Sequence, residues 1–167
     1  VERIFKRTVS IGKQFGVIRV MLGENGFEVA SCRKDGEYKD GRRPESVTSG
    51  TFSEDVKRRD FTINGLLFDP LSYEIIDYEN GLIDLKNGLI RTIGNPEERF
   101  NEDHLRIMRA IRFACRFDFK IDDRVFVAVK NFAHLINKIS AERIRDELVK
   151  MLTAQNNGKA LLLLMEC

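Results

Sequence analysis

The chain has no tryptophan, three prolines and three cysteines among its 167 residues. So few prolines beside a 43% hydrophobic share exclude a disordered or low-complexity polymer, and a packed domain of ordinary size is expected. Cys32, Cys115 and Cys167 are odd in number and lie at no metal-ligand spacing, and His104 and His134 cannot complete a zinc set. Neither a disulfide framework nor a structural zinc site is encoded, and a reducing, cytoplasmic setting is expected. Long apolar runs are also missing. The longest, LLLLM near the C-terminus, falls far below the ~18 residues that span a bilayer, and the N-terminus carries no secretory pattern, so no membrane is expected. An excess of one charge is absent too, with 28 basic against 26 acidic residues, so net charge names no partner. The opening VERIFKR without methionine and the close inside GKALLLLMEC predict a segment cut from a longer chain.

What is present is ordered alternation followed by helix. Residues 1 to 7 read as the tail of an amphipathic helix, and VIRVML and FEVASC as a β-hairpin joined by GENG. From Arg33 to Ser53 the polar, aperiodic RKDGEYKDGRRPESVTSGTFS predicts a long mobile loop. SEDVKRRDFTINGLL resumes a helical pattern with Ser53 as its N-cap, and LLFDPLSYEIIDY reads as two strands around Pro70. GLIDLKNGLIRTIGNPEERF gives a short helix, a strand and a boundary at Gly94, Asn95 and Pro96. Beyond it the pattern predicts helices over 102–117, 123–137 and 141–153, the last behind Ser140. The fold class is therefore α+β, divided near residue 95.

The most unusual stretch is NEDHLRIMRAIRFACRF, residues 101 to 117. On one continuous helix Asp103 and Arg106 would lie at i and i+3, with Arg109, Arg112 and Arg116 following on roughly the same face and Leu105, Met108, Ile111 and Cys115 on a neighbouring one. Such a row is ordinarily a solvated charged face. Four like charges repel unless an anion answers them, however, and the local acids are bunched at the helix start, so a triphosphate or an RNA backbone is the expected partner.

KRRDFTINGLLFDP places Arg58, Arg59 and Asp60 before a second apolar run. RRDFTING followed about forty residues later by EDHLRIMRAIRF, with FEVASCRKDGEYKDGRRP before them and ISAERIRDEL after, resembles the class II nucleotidyltransferases, the family of bacterial tRNA CCA-adding enzymes and poly(A) polymerases. The resemblance implies part of a nucleotidyltransferase head with a β-sheet over residues 1–95 and an all-α neck over 96–167 that binds nucleotide and RNA. It implies nucleotide binding by Arg59, Asp60 (associated with the ribose), Asp103, Arg106, Arg109 and Arg112, with Glu102 supporting the Asp103 and Arg106 pair. His104 stands between these as a bystander. Gly65 departs from the family's usual alanine after Asn64, at roughly 1 kcal/mol of helix propensity.

The chemistry of that pair can be stated without the family. Cytosine and adenine each present an amino donor beside a ring-nitrogen acceptor, which a carboxylate and a guanidinium complement, whereas uracil and guanine set a carbonyl against the carboxylate. Selection of CTP and ATP by an amino-acid template follows. Phosphoryl transfer also needs carboxylate-held divalent metal, Mg²⁺. The resemblance places the paired aspartates for it upstream of Val1, so no catalytic or metal-binding residue is assigned here, Glu28 is read as an exposed-face acid, and the chain alone is expected to be inactive. The implied activity is a transferase adding CCA to tRNA 3′ ends, and the loop at 33–53 resembles that of CCA-adding members. A-adding enzymes and poly(A) polymerases of the same family are the second reading. An inactive RNA-binding module whose arginines track phosphates is the third.

Overall fold

Three strands open the chain: β1 (Thr8–Gly12), β2 (Val17–Leu22) and β3 (Asn25–Ala30), paired antiparallel in that order. The computed structural model describes residues 1–12, 16–38 and 40–167. The expected hairpin is β2–β3, turning at Gly23, whose φ of +63° is a conformation glycine enters without steric cost. Residues 1–7 form turns instead of the expected helix, since so few residues barely exceed the nucleus a helix must first fix. Glu28 is exposed and pairs with Arg19 across β2–β3 at 2.7 Å.

The polar stretch from 33 to 53, expected as a loop, holds paired strands. β4 (Arg33–Asp35) runs antiparallel to β5 (Val47–Ser49), and Tyr38 bridges Pro44 beyond them; Lys39 lies outside the described residues. The excursion is held from outside as well as within. The Arg33 amide donates to Asp55 Oδ1 at 3.2 Å, and the Gly36 amide to the Ser46 carbonyl at 2.8 Å.

α1 (Phe52–Lys57) is capped by Thr51 and not by Ser53. Thr51 Oγ1 accepts from the Glu54 amide at 3.3 Å while the Glu54 carboxylate accepts from the Thr51 amide at 3.0 Å, a reciprocal capping box. That amide and Lys34 hold the Glu54 carboxyl down at about 2. The helix expected to continue through RRDFTING stops, because Phe61 is extended, fully buried and bridged to Thr92. A single 3₁₀ turn follows at Thr62–Asn64. Gly65 closes that turn outside any α-helix, so the propensity cost does not apply there; an added Cβ would instead lie 3.1 Å from Ile93, Val56 and the Thr62 carbonyl.

β6 (Leu67–Asp69) and β7 (Glu74–Ile76) pair around Pro70, and α2 (Gly81–Asn87) leads into β8 (Leu89–Ile90), as the patterns predict. β8 pairs in parallel with β9 (Lys120–Ile121), a strand the helical pattern concealed. α3 (Pro96–Glu102) starts on the Asn95 cap with proline in its first turn. α4 (Leu105–Phe117), α5 (Asp123–Phe132) with a 3₁₀ extension at Ala133–Lys138, α6 (Ala141–Leu152) and α7 (Asn157–Glu166) complete the chain. Ser140 occupies the N-cap position of α6 but makes no side-chain capping bond.

α4 is the axis of the core. Its residues Leu105, Met108, Ile111 and Cys115 are buried as expected, in one cluster with Phe61, Ile90, Phe100, Val125, Val129 and Met151. The helix expected over 102–117 begins only at Leu105, because Asp103 at φ −144°, ψ 104° separates α3 from α4. Among the described residues, no helix is long and apolar enough to cross a membrane.

Candidate functional site

The break at Asp103 positions the site. Its carboxylate turns back onto the start of α4, where Oδ1 accepts the Leu105 amide at 3.1 Å. Arg143 of α6 then spans both carboxylate oxygens through Nη2, at 3.1 and 3.0 Å. Of the roughly four acceptor sites on a carboxylate, three are used and one on Oδ2 is left.

Arg106 lies one turn further on and does not pair with Asp103. Its Nη1 donates to Glu102 Oε2 at 2.6 Å and to the Arg99 carbonyl at 3.1 Å, and its Nη2 to the Arg58 carbonyl at 2.8 Å. Three of five N–H donors are taken, leaving Nε–H and one on Nη2. Glu102 thus stands behind Arg106 as a support.

Three of the four arginines in the row already have acids within the fold, Arg106 with Glu102, Arg109 with Asp60 and Arg112 with Glu147, and the first two keep N–H groups for an outside anion. Arg109 Nε donates to Asp60 Oδ2 at 2.6 Å, and its Nη2 lies 2.5 Å from the same oxygen. Asp60 is itself nearly saturated, since Oδ1 accepts the Phe61 amide and Asn64 Nδ2, both at 2.9 Å. Arg112 meets Glu147 of α6 in an ion pair at 2.5 Å and lies over the Phe113 ring at 4.1 Å. Burial pulls the Arg112 guanidinium below its ordinary pKa, with the Glu147 carboxylate opposing.

Arg59 donates Nε and Nη2 to Asp55 Oδ2 and Nη1 to the Asn64 carbonyl, which fixes it at the cleft edge. Asp55 also takes Arg58 at 2.6 Å, so a single carboxylate joins both arginines to the base of β4. Burial raises the Asp55 pKa, but hydrogen bonds from Arg58, the Arg33 amide and Arg59 outweigh it and hold the carboxyl below its usual range.

These groups line a cleft of about 480 Å³, within the range of small-molecule sites. It brings together Arg59, Asp60, Asp103, Arg106 and Arg109 and omits Arg112, which Phe113 separates from it. Glu102 is not on its wall either. Spacing on one helix did not reveal Arg143, Arg42, Asn64 and Tyr38, which reach the cleft from other elements; the ISAERIRDEL string held the only signal for Arg143. Seven arginines and three aspartates line it, with Asp55 and Glu102 bonded to three of the arginines from behind, so the cleft keeps a modest excess of positive charge.

The 33–53 excursion forms one wall. Tyr38 Oη donates to Asp35 at 2.6 Å, and burial together with that carboxylate pushes the phenol pKa up. His104, expected as a bystander, pins the excursion. Its amide donates to the Gly41 carbonyl at 3.1 Å, Nδ1 bonds the Phe100 carbonyl at 2.8 Å, and Gly41 packs on the ring at φ +66°. A larger groove, about 750 Å³, lies between the Gly94 turn and α5, but its Arg91 is already divided between Asp84 and Asp122.

A model of the poly(A) polymerase head domain matches residues 1–91, more than half of the chain. The chain belongs to that family. A second model, described as the probable RNA and SrmB-binding site of polymerase A, matches residues 118–167. The CCA-adding enzymes of Enterococcus faecalis and Ligilactobacillus salivarius are each 46% identical over 100% and 96% of this chain, which covers 42% and 40% of their lengths. The chain thus spans about two fifths of the curated relatives it matches. Among solved structures, the Bacillus stearothermophilus CCA-adding enzyme in complex with CTP is 36% identical with a TM-score of 0.88, over 98% of this chain and 39% of that one. The Thermotoga maritima CCA-adding enzyme complexed with tRNA is 28% identical with a TM-score of 0.77, over 99% and 37%. The α+β fold, small sheets followed by a helical neck, is that of these CCA-adding enzyme structures.

Proposed function

We propose that the chain is the nucleotide-selecting part of a cytoplasmic tRNA nucleotidyltransferase that adds CCA to tRNA 3′ ends from CTP and ATP, with a head over 1–95 and a nucleotide- and RNA-binding neck over 96–167. The observation that carries the reading is the residual hydrogen-bonding capacity of the template pair. Asp103 keeps one acceptor and Arg106 keeps two donors, on one cleft wall, after the bonds among the described residues are counted. One acceptor takes the amino hydrogen of cytosine or adenine and one donor serves the adjacent ring nitrogen. Uracil and guanine offer a carbonyl to the acceptor, and the unpaired groups cost on the order of 1–3 kcal/mol each.

The other residues divide the remaining work. Arg109 and Arg59 keep free N–H groups for the triphosphate while Asp60 and Asp55 hold them in place, so Asp60 acts chiefly by positioning Arg109. Arg42 and Tyr38 close the cleft from the excursion. Arg112, tied to Glu147, fixes α4 against α6 and supports the site from behind.

When bound, Mg²⁺ in this class of reaction activates the attacking hydroxyl and steadies the leaving pyrophosphate. The described residues do not fit it. No group of three His, Cys, Asp or Glu side chains converges among them, and the three cleft aspartates are engaged by Arg33, Arg109 and Arg143, so no step is routed through a metal here.

Because the chain spans about two fifths of its relatives, the test uses the gene product that contains it. Incubated with tRNA lacking its 3′ end, it should add two C and one A from CTP and ATP. A run of A would assign it to the A-adding or poly(A) members instead. Binding of RNA without extension would assign it to the inactive module.

A further inference from the structure

Past Arg109, the arginine row of α4 leaves the cleft. Arg112 and Arg116 enter a second groove of about 560 Å³, between the C-terminal ends of α4 and α6, completed by Lys150, Thr153, Ala154 and Gln155. Among the described residues, no carboxylate lines it. Beneath it, the buried Glu147 is shared by Arg112 at 2.5 Å and Lys150 at 2.9 Å, so one acid answers two cations. Arg116 is exposed and has no acidic partner among the described residues; its guanidinium lies over Phe117 at 5.4 Å.

Basic groups in a last helical turn commonly answer the carbonyl end of the helix dipole. That role explains Arg116 on α4 and Lys150 on α6 separately, but not why two helices deliver their cations, with the Gln155 amide, to one groove free of acid. Seven residues of helix separate Arg116 from Arg109, about 10 Å at 1.5 Å per residue. A strand whose 3′ end lies in the cleft and that runs along α4 reaches the groove within about two nucleotides of backbone, at most ~7 Å per nucleotide.

We propose that the Arg116–Lys150 groove binds the ribose-phosphate backbone of the RNA whose 3′ end enters the cleft, without reading its sequence. The direction of the strand rests on the function proposed above; the affinity for RNA phosphate does not. Single-strand backbone contacts of this kind weaken with salt at a log–log slope of about 0.7 per phosphate.

The test is fluorescence anisotropy of labelled tRNA lacking its 3′ end and of an unrelated single-stranded RNA, titrated with the protein over a range of salt. The variant Arg116→Gln/Lys150→Gln should bind both RNAs about tenfold or more weakly, with a slope shallower by roughly 1–2, and should bind CTP as the parent does. Arg116→Lys/Lys150→Arg, which keeps both charges, should retain the parent's slope. Unchanged RNA affinity and slope would overturn the proposal, as would an equal fall in RNA and CTP affinity, which would mean that the substitutions act through the fold. If the parent binds RNA through this groove yet shows no preference for CTP and ATP, the nucleotide reading fails and the groove stands. If the parent prefers CTP and ATP while the double variant binds RNA normally, the groove fails alone.

Discussion

Replacing Glu147 by glutamine removes the one carboxylate that answers two cations under the neck. The Arg112 and Glu147 side chains are 8% and 3% exposed, so the loss leaves a guanidinium charged and desolvated. Breaking a buried pair from one side costs about 3–5 kcal/mol, whereas the contact with Lys150, whose side chain is 55% exposed, adds little. In a chain of this size that is a fall in Tm of roughly 6–20 °C. Arg112→Met should cost less, because Glu147 keeps Lys150 at 2.9 Å. Arg112→Met/Glu147→Leu should return to within about 1–2 kcal/mol of the parent, since an apolar pair needs no desolvated charge. Urea unfolding followed by circular dichroism reads all four proteins. A Glu147→Gln loss under about 1 kcal/mol, or a double variant no better than Glu147→Gln, would refute the account of a buried, mutually dependent pair.

Three further outcomes follow from other contacts. Gly41→Ala should destabilise by about 1–3 kcal/mol, since φ is +66° and the added Cβ would overlap the His104 ring; His104→Ala should recover only the steric part in thermal melts. The Asp55 carboxyl is held below its ordinary pKa, so its contribution is fully present above the unfolded value of about 3.9 and is lost as pH falls through the native value. Asp55→Asn should therefore be less stable than the parent at pH 7, and the gap should close below about pH 4 in an acid titration of unfolding. Thr51→Ala should cost roughly 0.5–2 kcal/mol through loss of the capping box at α1, while Ser53→Ala should change stability little.

How far the sequence was legible depended on whether the deciding partner was near. The β2–β3 hairpin, the Pro70 turn and the boundary at Gly94, Asn95 and Pro96 rest on signals within a few residues and match the structure, whereas α3, which starts at that boundary, lies ahead of the helix expected from 102. The acids that answer Arg109 and Arg112 are not visible in the local sequence, because Asp60 and Glu147 lie 49 and 35 positions away in the chain and arrive only through folding. RRDFTING has a helical pattern, yet burial of Phe61 and its bridge to Thr92 override it. The strands at 33–35 and 47–49 are three residues each and polar, too short to show a period, and they are fixed by Asp55 and His104 from elsewhere. Of the predicted site residues, Arg59, Asp60, Asp103, Arg106 and Arg109 meet in the cleft, whereas Arg112 turns to Glu147. Asp103 lies outside the helix that carries Arg106, so the two face the cleft as neighbours joined by a break and not as a helical i, i+3 pair.

The most direct measurement is the relative kcat/KM of the gene product for CTP, ATP, UTP and GTP, in the parent and in Asp103→Ala, with folding checked by circular dichroism. The account predicts that removing the acceptor lowers efficiency with CTP and ATP and narrows discrimination against UTP and GTP by roughly 5- to 150-fold, the equivalent of about 1–3 kcal/mol. If Asp103→Ala kept the parent's full discrimination, the cleft would not select the base through this pair, and its arginines would be binding phosphate alone.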